Sequence, residues 1–224
     1  MMNKKHLLLL LFVSLAGIAL AQGDDHGIWF GASVKHDITK KLDVELFGSV
    51  RTFKNVTKVD QSLMEGSAGY SFNKYLSVAG SYRFIYSLED DDQFHYRHRV
   101  SLDVKGNLPA GRFSFSARAR FQRTELTYIE EFGDATAKYY GRLRFKAAWD
   151  IPSFPLTPYV YYEPFVPMFT GAQFEIDRNR FAAGATLKIS AKSSVETEFI
   201  FQRDFNKKSI SDIQILSINY SLKF

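Results

Sequence analysis

Through most of the chain every second residue is apolar and its neighbours are polar. Leu42, Val44, Leu46, Gly48, Val50 and Thr52 share one parity, while Asp43, Glu45, Ser49 and Arg51 take the other. The pattern returns at Met64, Ala68, Tyr70 and Phe72 against Glu65, Ser67 and Ser71, and at Leu76, Val78, Tyr82, Phe84 and Tyr86 against Ser77, Ser81 and Arg83. It continues through 96–104, 113–121, 143–149, 181–189 and 195–201, and closes on Leu216, Ile218, Tyr220, Leu222 and Phe224. A period of two marks a β-strand with one apolar and one wet face. Turn signals interrupt it at intervals of roughly ten to fifteen residues, the spacing of an antiparallel meander.

Alternation alone suits a soluble sandwich as well as a membrane barrel. The connections distinguish them. Short ones at 73–74, 107–111 and 190–192 alternate with longer polar ones at 54–60, 87–93 and 124–138, and that alternation is the outer-membrane pattern of short periplasmic turns and long external loops. Aromatic residues gather near segment ends: Trp29, Phe30, Phe53, Tyr70, Phe72, Tyr82, Tyr86, Trp149, Tyr159 to Tyr162, Tyr220 and Phe224. In a barrel these form girdles at the two membrane interfaces. The expectation is an all-β fold, an antiparallel up-and-down transmembrane β-barrel of about 10–12 strands. Eleven segments are countable, from 28–36 to 211–224, so the first and last run in the same direction. Single-chain bacterial barrels normally have an even number. Either a further strand lies in the Pro-containing stretch 151–173, or the first segment is not an ordinary wall strand.

The chain begins with Lys4 and Lys5, an apolar run from Leu7 to Leu20, and the Ala19-Leu20-Ala21 pattern of a signal-peptidase site. The run is shorter than the roughly 20 residues of a spanning helix, so residues 1–21 are expected to be a cleaved signal peptide and 22–224 a single barrel domain. Hydrophobic residues make up 46% of the chain and aromatic residues 16%, yet mean hydropathy is only -0.19. Alternation hides strand hydrophobicity from such an average. With no cysteine, neither a lipid-modified cysteine nor a disulfide framework is available. The formal charge of +5 is spread among acids, unlike the clustered patch of a nucleic-acid site, so no nucleic-acid partner is expected.

If the apolar parity meets lipid, the alternate residues face the lumen. Arg97, Arg99, Arg118, Arg120, Arg142 and Arg144 fall on three consecutive strands and are expected to form a basic wall, with Arg178 and Arg180 further on. Asp43, Glu45, Glu65, Glu163, Glu196 and Glu198 come from other strands and are expected to form an acidic one. In a wide barrel such walls line an ion-selective, porin-like pore; in a narrow one they pair and plug it. A hydrolase needs a nucleophile, a base and a group to orient the base, and Ser87, Asp90 to Asp92 and His95, with His98 nearby, are the best candidate group, in and beside an acidic loop. It could also hold a divalent cation, but its spacing matches no ligand motif. No Gly-x-Ser-x-Gly, His-Glu-x-x-His or phosphate-cradling glycine loop occurs, so the expectation is a non-enzymatic barrel with no cofactor and no metal. Loops at 124–138 and 163–173 are a third possibility, recognition of a ligand at the rim.

The C-terminal alternation Tyr220, Leu222, Phe224 resembles the sorting signal read by the barrel assembly machinery of Gram-negative bacteria. The stretches WFGASVKHDITKKLDVELFGSVR, YSFNKYLSVAGSYRF, YYGRLRFKAAW and PYVYYEPF resemble the DUF2490 family, uncharacterised outer-membrane barrels common in Bacteroidetes. The resemblance covers nearly the whole mature chain. It implies a monomeric barrel among outer-membrane lipid and lipopolysaccharide, handled by the assembly machinery through its last strand. It supplies no reaction and no catalytic residues.

Overall fold

Turn chemistry at one end of each hairpin sets the phase of the alternation. Thr39 Oγ1 accepts the backbone N–H groups of Lys41 and Leu42, Asn73 Oδ1 those of Tyr75 and Leu76, and Ser190 Oγ those of Lys192 and Ser193. Gly111 supplies the left-handed residue, φ 64°, of another tight turn. The structure, a computed structural model, describes residues 25–89, 91–127, 137–169, 175–205 and 211–224; residues 1–21, read as a signal peptide, lie outside them. The strands are β1 (Asp25–Asp37), β2 (Leu42–Phe53), β3 (Lys58–Ser71), β4 (Leu76–Leu88), β5 (Phe94–Ala110) and β6 (Phe113–Leu126). They continue with β7 (Ala137–Trp149), β8 (Leu156–Met168), β9 (Arg178–Lys188), β10 (Ser193–Asp204) and β11 (Ser211–Lys223).

The sheet is a closed barrel in chain order, and β1 seals it against β11. That seam is parallel, running from Asp25↔Ile213 to Lys35↔Lys223. All other neighbours are antiparallel. The count of eleven therefore stands, and neither way out of it is taken. The first segment is an ordinary wall strand, and the Pro-containing stretch yields one strand, β8. A strictly antiparallel wall is corrected to one with a single parallel pair, because strands of alternating direction and odd number must meet once in the same sense. Asp25 and Phe224 consequently lie at opposite rims.

Several boundaries differ from the sequence expectation. Residues 58–60 belong to β3, 107–110 to β5, and 163–168 to β8 rather than to loops. The 54–57 turn is tight, with Lys54, Asn55 and Val56 all at positive φ (53°, 54° and 67°). Asp25 holds it there, its carboxylate accepting the N–H groups of Lys54 and Asn55 at 3.2 and 2.8 Å.

The outward parity is apolar all round the wall. Leu46, Met64, Leu102 and Val160 are 54–58% exposed, an arrangement a water-soluble core would not tolerate. Outward aromatics cluster in two bands. Near the short turns lie Tyr70 with Phe72 at 5.1 Å and Phe113 with Trp149 at 6.4 Å; near the other rim lie Tyr86 with Phe94 at 4.8 Å and Tyr139 with Phe169 at 5.3 Å. Four expected girdle residues are elsewhere. Trp29, Tyr159 and Tyr161 are buried inside, in a cluster with Ala182, Ile200, Ile213 and Ile215, and Phe53 packs against it. Within 25–37 the register pairs Trp29 with inward Arg51, so its lipid-facing neighbour is Phe30.

Gly184 makes this interior possible. A Cβ there would sit 2.8 Å from the Tyr159 ring and 2.8 Å from the Thr197 carbonyl oxygen. Gly184→Val is expected to destabilise the barrel by about 1–3 kcal/mol through overpacking, measured as a lower denaturation midpoint of the refolded protein. An unchanged midpoint would show that Tyr159 is not held there.

Candidate functional site

Each lumen charge expected from parity does face inward, but the charges do not form two opposed walls. Asp103 on β5 and Glu163 on β8 interleave with the arginines, so pairing runs along the wall instead of across it. Arg120 grips Asp103 with two bonds of 2.6 Å, and Arg83 Nε donates to Glu65 Oε2 at 2.7 Å. Arg97 pairs with Glu89, and Arg178 with Asp204. Lys146 reaches Glu196 at 3.5 Å, and the Tyr159 hydroxyl donates to Glu198 at 3.0 Å. Glu45 lines the open part of the lumen.

Glu163 is the densest node. It is fully buried, and three guanidiniums donate to it: Arg118 to Oε1 at 2.6 Å, Arg142 to Oε2 at 2.8 Å and Arg144 to Oε2 at 2.9 Å. Arg118 comes from β6 and reaches past β7 to do so. Beside this node the β7–β8 ladder is interrupted: its register runs through Arg142↔Phe165 and resumes at Phe145↔Tyr162. Pro164, which has no N–H to give, lies in the gap. Side-chain bonds from Arg142 and Arg144 to Glu163 join the two strands where the backbone does not.

Rings separate the remaining cations. The Arg51 guanidinium lies 4.1 Å from the Trp29 ring centroid, and Arg180 lies 5.2 Å from Trp29 and 4.9 Å from Phe165. Arg142 covers Phe165 from 4.1 Å. The result is a column, Arg51, Trp29, Arg180, Phe165, Arg142, that links β2 and β1 to β9, β8 and β7. Desolvated contacts of this kind contribute about 2 kcal/mol each. Beside it runs a cavity of about 820 Å³, lined from Lys54, Lys58 and Glu89 at the long-connection rim, past Arg51, Trp29 and Arg180, down to Glu45, Ser67 and Asn219. No residue of the short turns lines it.

Sequence reasoning missed Arg51, Arg83 and Asp103 as site residues, although all three lie on the polar parity. It also missed Trp29 and Phe165, whose apolar character hid their inward phase. Part of the proposed hydrolase group does come together: the β4–β5 register sets buried Ser87 opposite His95, while Asp92 turns to Lys58 at 3.4 Å. His95 lies 2.7 Å from Asp91, whereas His98 faces outward and meets the Tyr82 hydroxyl at 2.6 Å. Asp90 lies outside the described residues. Partial desolvation pushes the Asp91 carboxyl up, but hydrogen bonds from His95 and the Gln93 backbone outweigh it and hold the group below its ordinary range. Among the described residues no cluster of His, Asp and Glu could hold a metal ion. Most of the 124–138 loop also lies outside the described residues, as does the end of 163–173.

Residues 26–212 match a family described as protein of unknown function, DUF2490. The beta domain of the Bordetella autotransporter BrkA is similar at 11% identity and a TM-score of 0.47, over 77% of this chain and 78% of that one. A bacterial polysaccharide outer membrane secretin is similar at 10% identity and a TM-score of 0.41, over 82% and 73%. Among curated proteins none matches in sequence.

Removing the shared counter-charge leaves one buried and two part-buried cations repelling one another. Glu163→Gln is expected to cost about 3–5 kcal/mol, whereas Glu196→Gln, whose partner is a part-exposed lysine, should cost less than about 1 kcal/mol. Denaturant midpoints of the two refolded variants make the comparison, and equal shifts would refute the central role of Glu163.

Proposed function

For a chain that belongs to the DUF2490 family, we propose the role of a non-enzymatic outer-membrane barrel of a Gram-negative envelope, closed at mid-height and structural rather than an open pore. One observation carries this reading: the wall is inside-out, apolar toward its surroundings and charged within. A bilayer accepts backbone only when its N–H and C=O groups are paired, which the closed ladder provides all round except at the short β7–β8 gap beside Glu163. The two aromatic bands suit the two interfaces. Outside the upper band, Arg123 pairs with Glu125 and Arg203 with Asp212, charged groups suited to lipopolysaccharide at the outer leaflet. Inside, the Glu163 node and the column of rings and guanidiniums narrow the section that an ion would have to cross, which supports closure.

In this reading residues 1–21 are removed on export, no cofactor is required, and the barrel is a monomer in lipid and lipopolysaccharide. Tyr220 and Phe224, outward and exposed, present the last strand to the barrel assembly machinery with Leu222 on the same parity. The hydrolase alternative is not favoured, because the Asp91–His95 contact beside Ser87 sits at an acidic rim loop, where a carboxylate next to a histidine is ordinary.

Two measurements test the proposal. Mature protein refolded in detergent and added to a planar bilayer should remain electrically silent; stable ohmic steps would overturn closure. The chain has no cysteine, so single cysteines report cleanly on sidedness. In whole cells Thr57→Cys should react with a membrane-impermeant maleimide and Lys74→Cys should not. Equal labelling of both would overturn the spanning orientation.

A further inference from the structure

Arg51, Arg99 and Arg180 differ from the other lumen arginines. Among the described residues none of the three has a carboxylate within ion-pair distance. Arg51 donates to Gln61 Oε1 at 3.1 Å, Arg99 to Thr124 Oγ1 at 2.8 Å and Arg180 to Gln202 Oε1 at 2.7 Å, all neutral acceptors. Arg51 Nε is buried without any partner. All three line the same cavity, and Arg51 is close enough to the other two to be repelled by both. Trp29 stacks between Arg51 and Arg180 and holds them in place without neutralising them.

We propose that this cluster binds a small oxyanion of the phosphate class in the lumen. Three guanidinium forks offer more donors than a lone carboxylate can accept, and a tetrahedral, multiply charged oxyanion matches them. The source is water-soluble, because the ladder is closed on every side and a lipid headgroup has no lateral entry; the way in is past Lys54 and Lys58 at the rim. The site rests on the closed-lumen reading in one respect, that the anion is held and not passed.

Trp29 is a built-in reporter. The chain has two tryptophans, and Trp149→Phe leaves Trp29 alone. Inorganic phosphate titrated against chloride at constant ionic strength should change Trp29 emission saturably and raise the denaturation midpoint. Arg99→Gln, which does not touch Trp29, should weaken phosphate binding at least about tenfold, the loss of one charge-assisted hydrogen bond. Without phosphate the same variant should be as stable as the parent or more so, since it relieves repulsion. A structural arginine would instead destabilise on removal and leave the phosphate curve unmoved. No saturable change in the parent, or an unchanged curve in Arg99→Gln, overturns the site. Anionic phospholipid added to the detergent should not compete; competition would overturn the soluble source. Conductance steps blocked by phosphate would refute closure while leaving the anion site standing, whereas silence with no fluorescence change would refute the site alone.

Discussion

Closure of the backbone ladder is the constraint on which the rest depends. In a bilayer an unpaired N–H or C=O costs several kcal/mol, so the eleventh strand must find the first whatever their relative direction. The price is a parallel seam, whose slanted bonds are slightly weaker per residue than antiparallel ones. Side chains and chain ends reinforce it. Ser33 Oγ donates to Ser221 Oγ at 3.1 Å, Lys223 Nζ lies 2.8 Å from Asp37, and the Phe224 N–H donates to the Lys35 carbonyl at 2.9 Å. All three contacts sit toward the short-turn rim. At the other rim Asp25 caps the strained 54–56 turn, so both ends of the seam are fastened to something besides the seam.

Closing the wall creates the second problem, an interior too narrow to hold bulk water throughout. It is solved differently in two sectors. From β8 round to β1 the inward parity carries Tyr159, Tyr161, Ile200, Ile213, Ile215 and Trp29, an ordinary apolar core. Through β5, β6 and β7 it carries arginines, and these need carboxylates. Glu163 stands at the boundary on the first strand of the apolar sector, where three guanidiniums can reach it. That position explains why β8 tolerates Pro164: side-chain bonds join it to β7 where the ladder lapses.

Much of this was legible in the sequence because a period of two is a local signal that survives without knowledge of partners. The lumen arginines, the outward stripe ending at Phe224 and the count of eleven all follow from it. What parity does not encode is which inward residues meet. Arg118 and Glu163 are separated by a whole strand, and only the curvature of the wall brings them together. Parity also fails where adjacent residues are both apolar, as at Trp29 and Phe30, since either phase then reads as a lipid-facing aromatic. In β11 the alternation is blurred the same way where Ile215 and Leu216 are adjacent and both apolar, and only Leu216 is on the outward parity. The parallel seam was implied by the count yet looked like an error, because an even number is the usual rule.

The choice of rings between guanidiniums separates stability from a second purpose. A carboxylate at the position of Trp29 could pair with Arg51 and Arg180 and cancel much of their charge. An aromatic ring attracts both cations through its quadrupole but leaves the charge intact. The molecule uses the first device at Glu163, Asp103 and Glu65, so carboxylates are available to it on the same parity. At Glu163, Asp103 and Glu65 each guanidinium meets a carboxylate, even where three share one; where Arg51, Arg99 and Arg180 meet, amide and hydroxyl acceptors hold the side chains instead. A local departure from the device used at Glu163, Asp103 and Glu65 is what a functional site looks like in an otherwise consistent structure. The surplus charge sits on the wall of the cavity near the long connections, so whatever satisfies it arrives from that side.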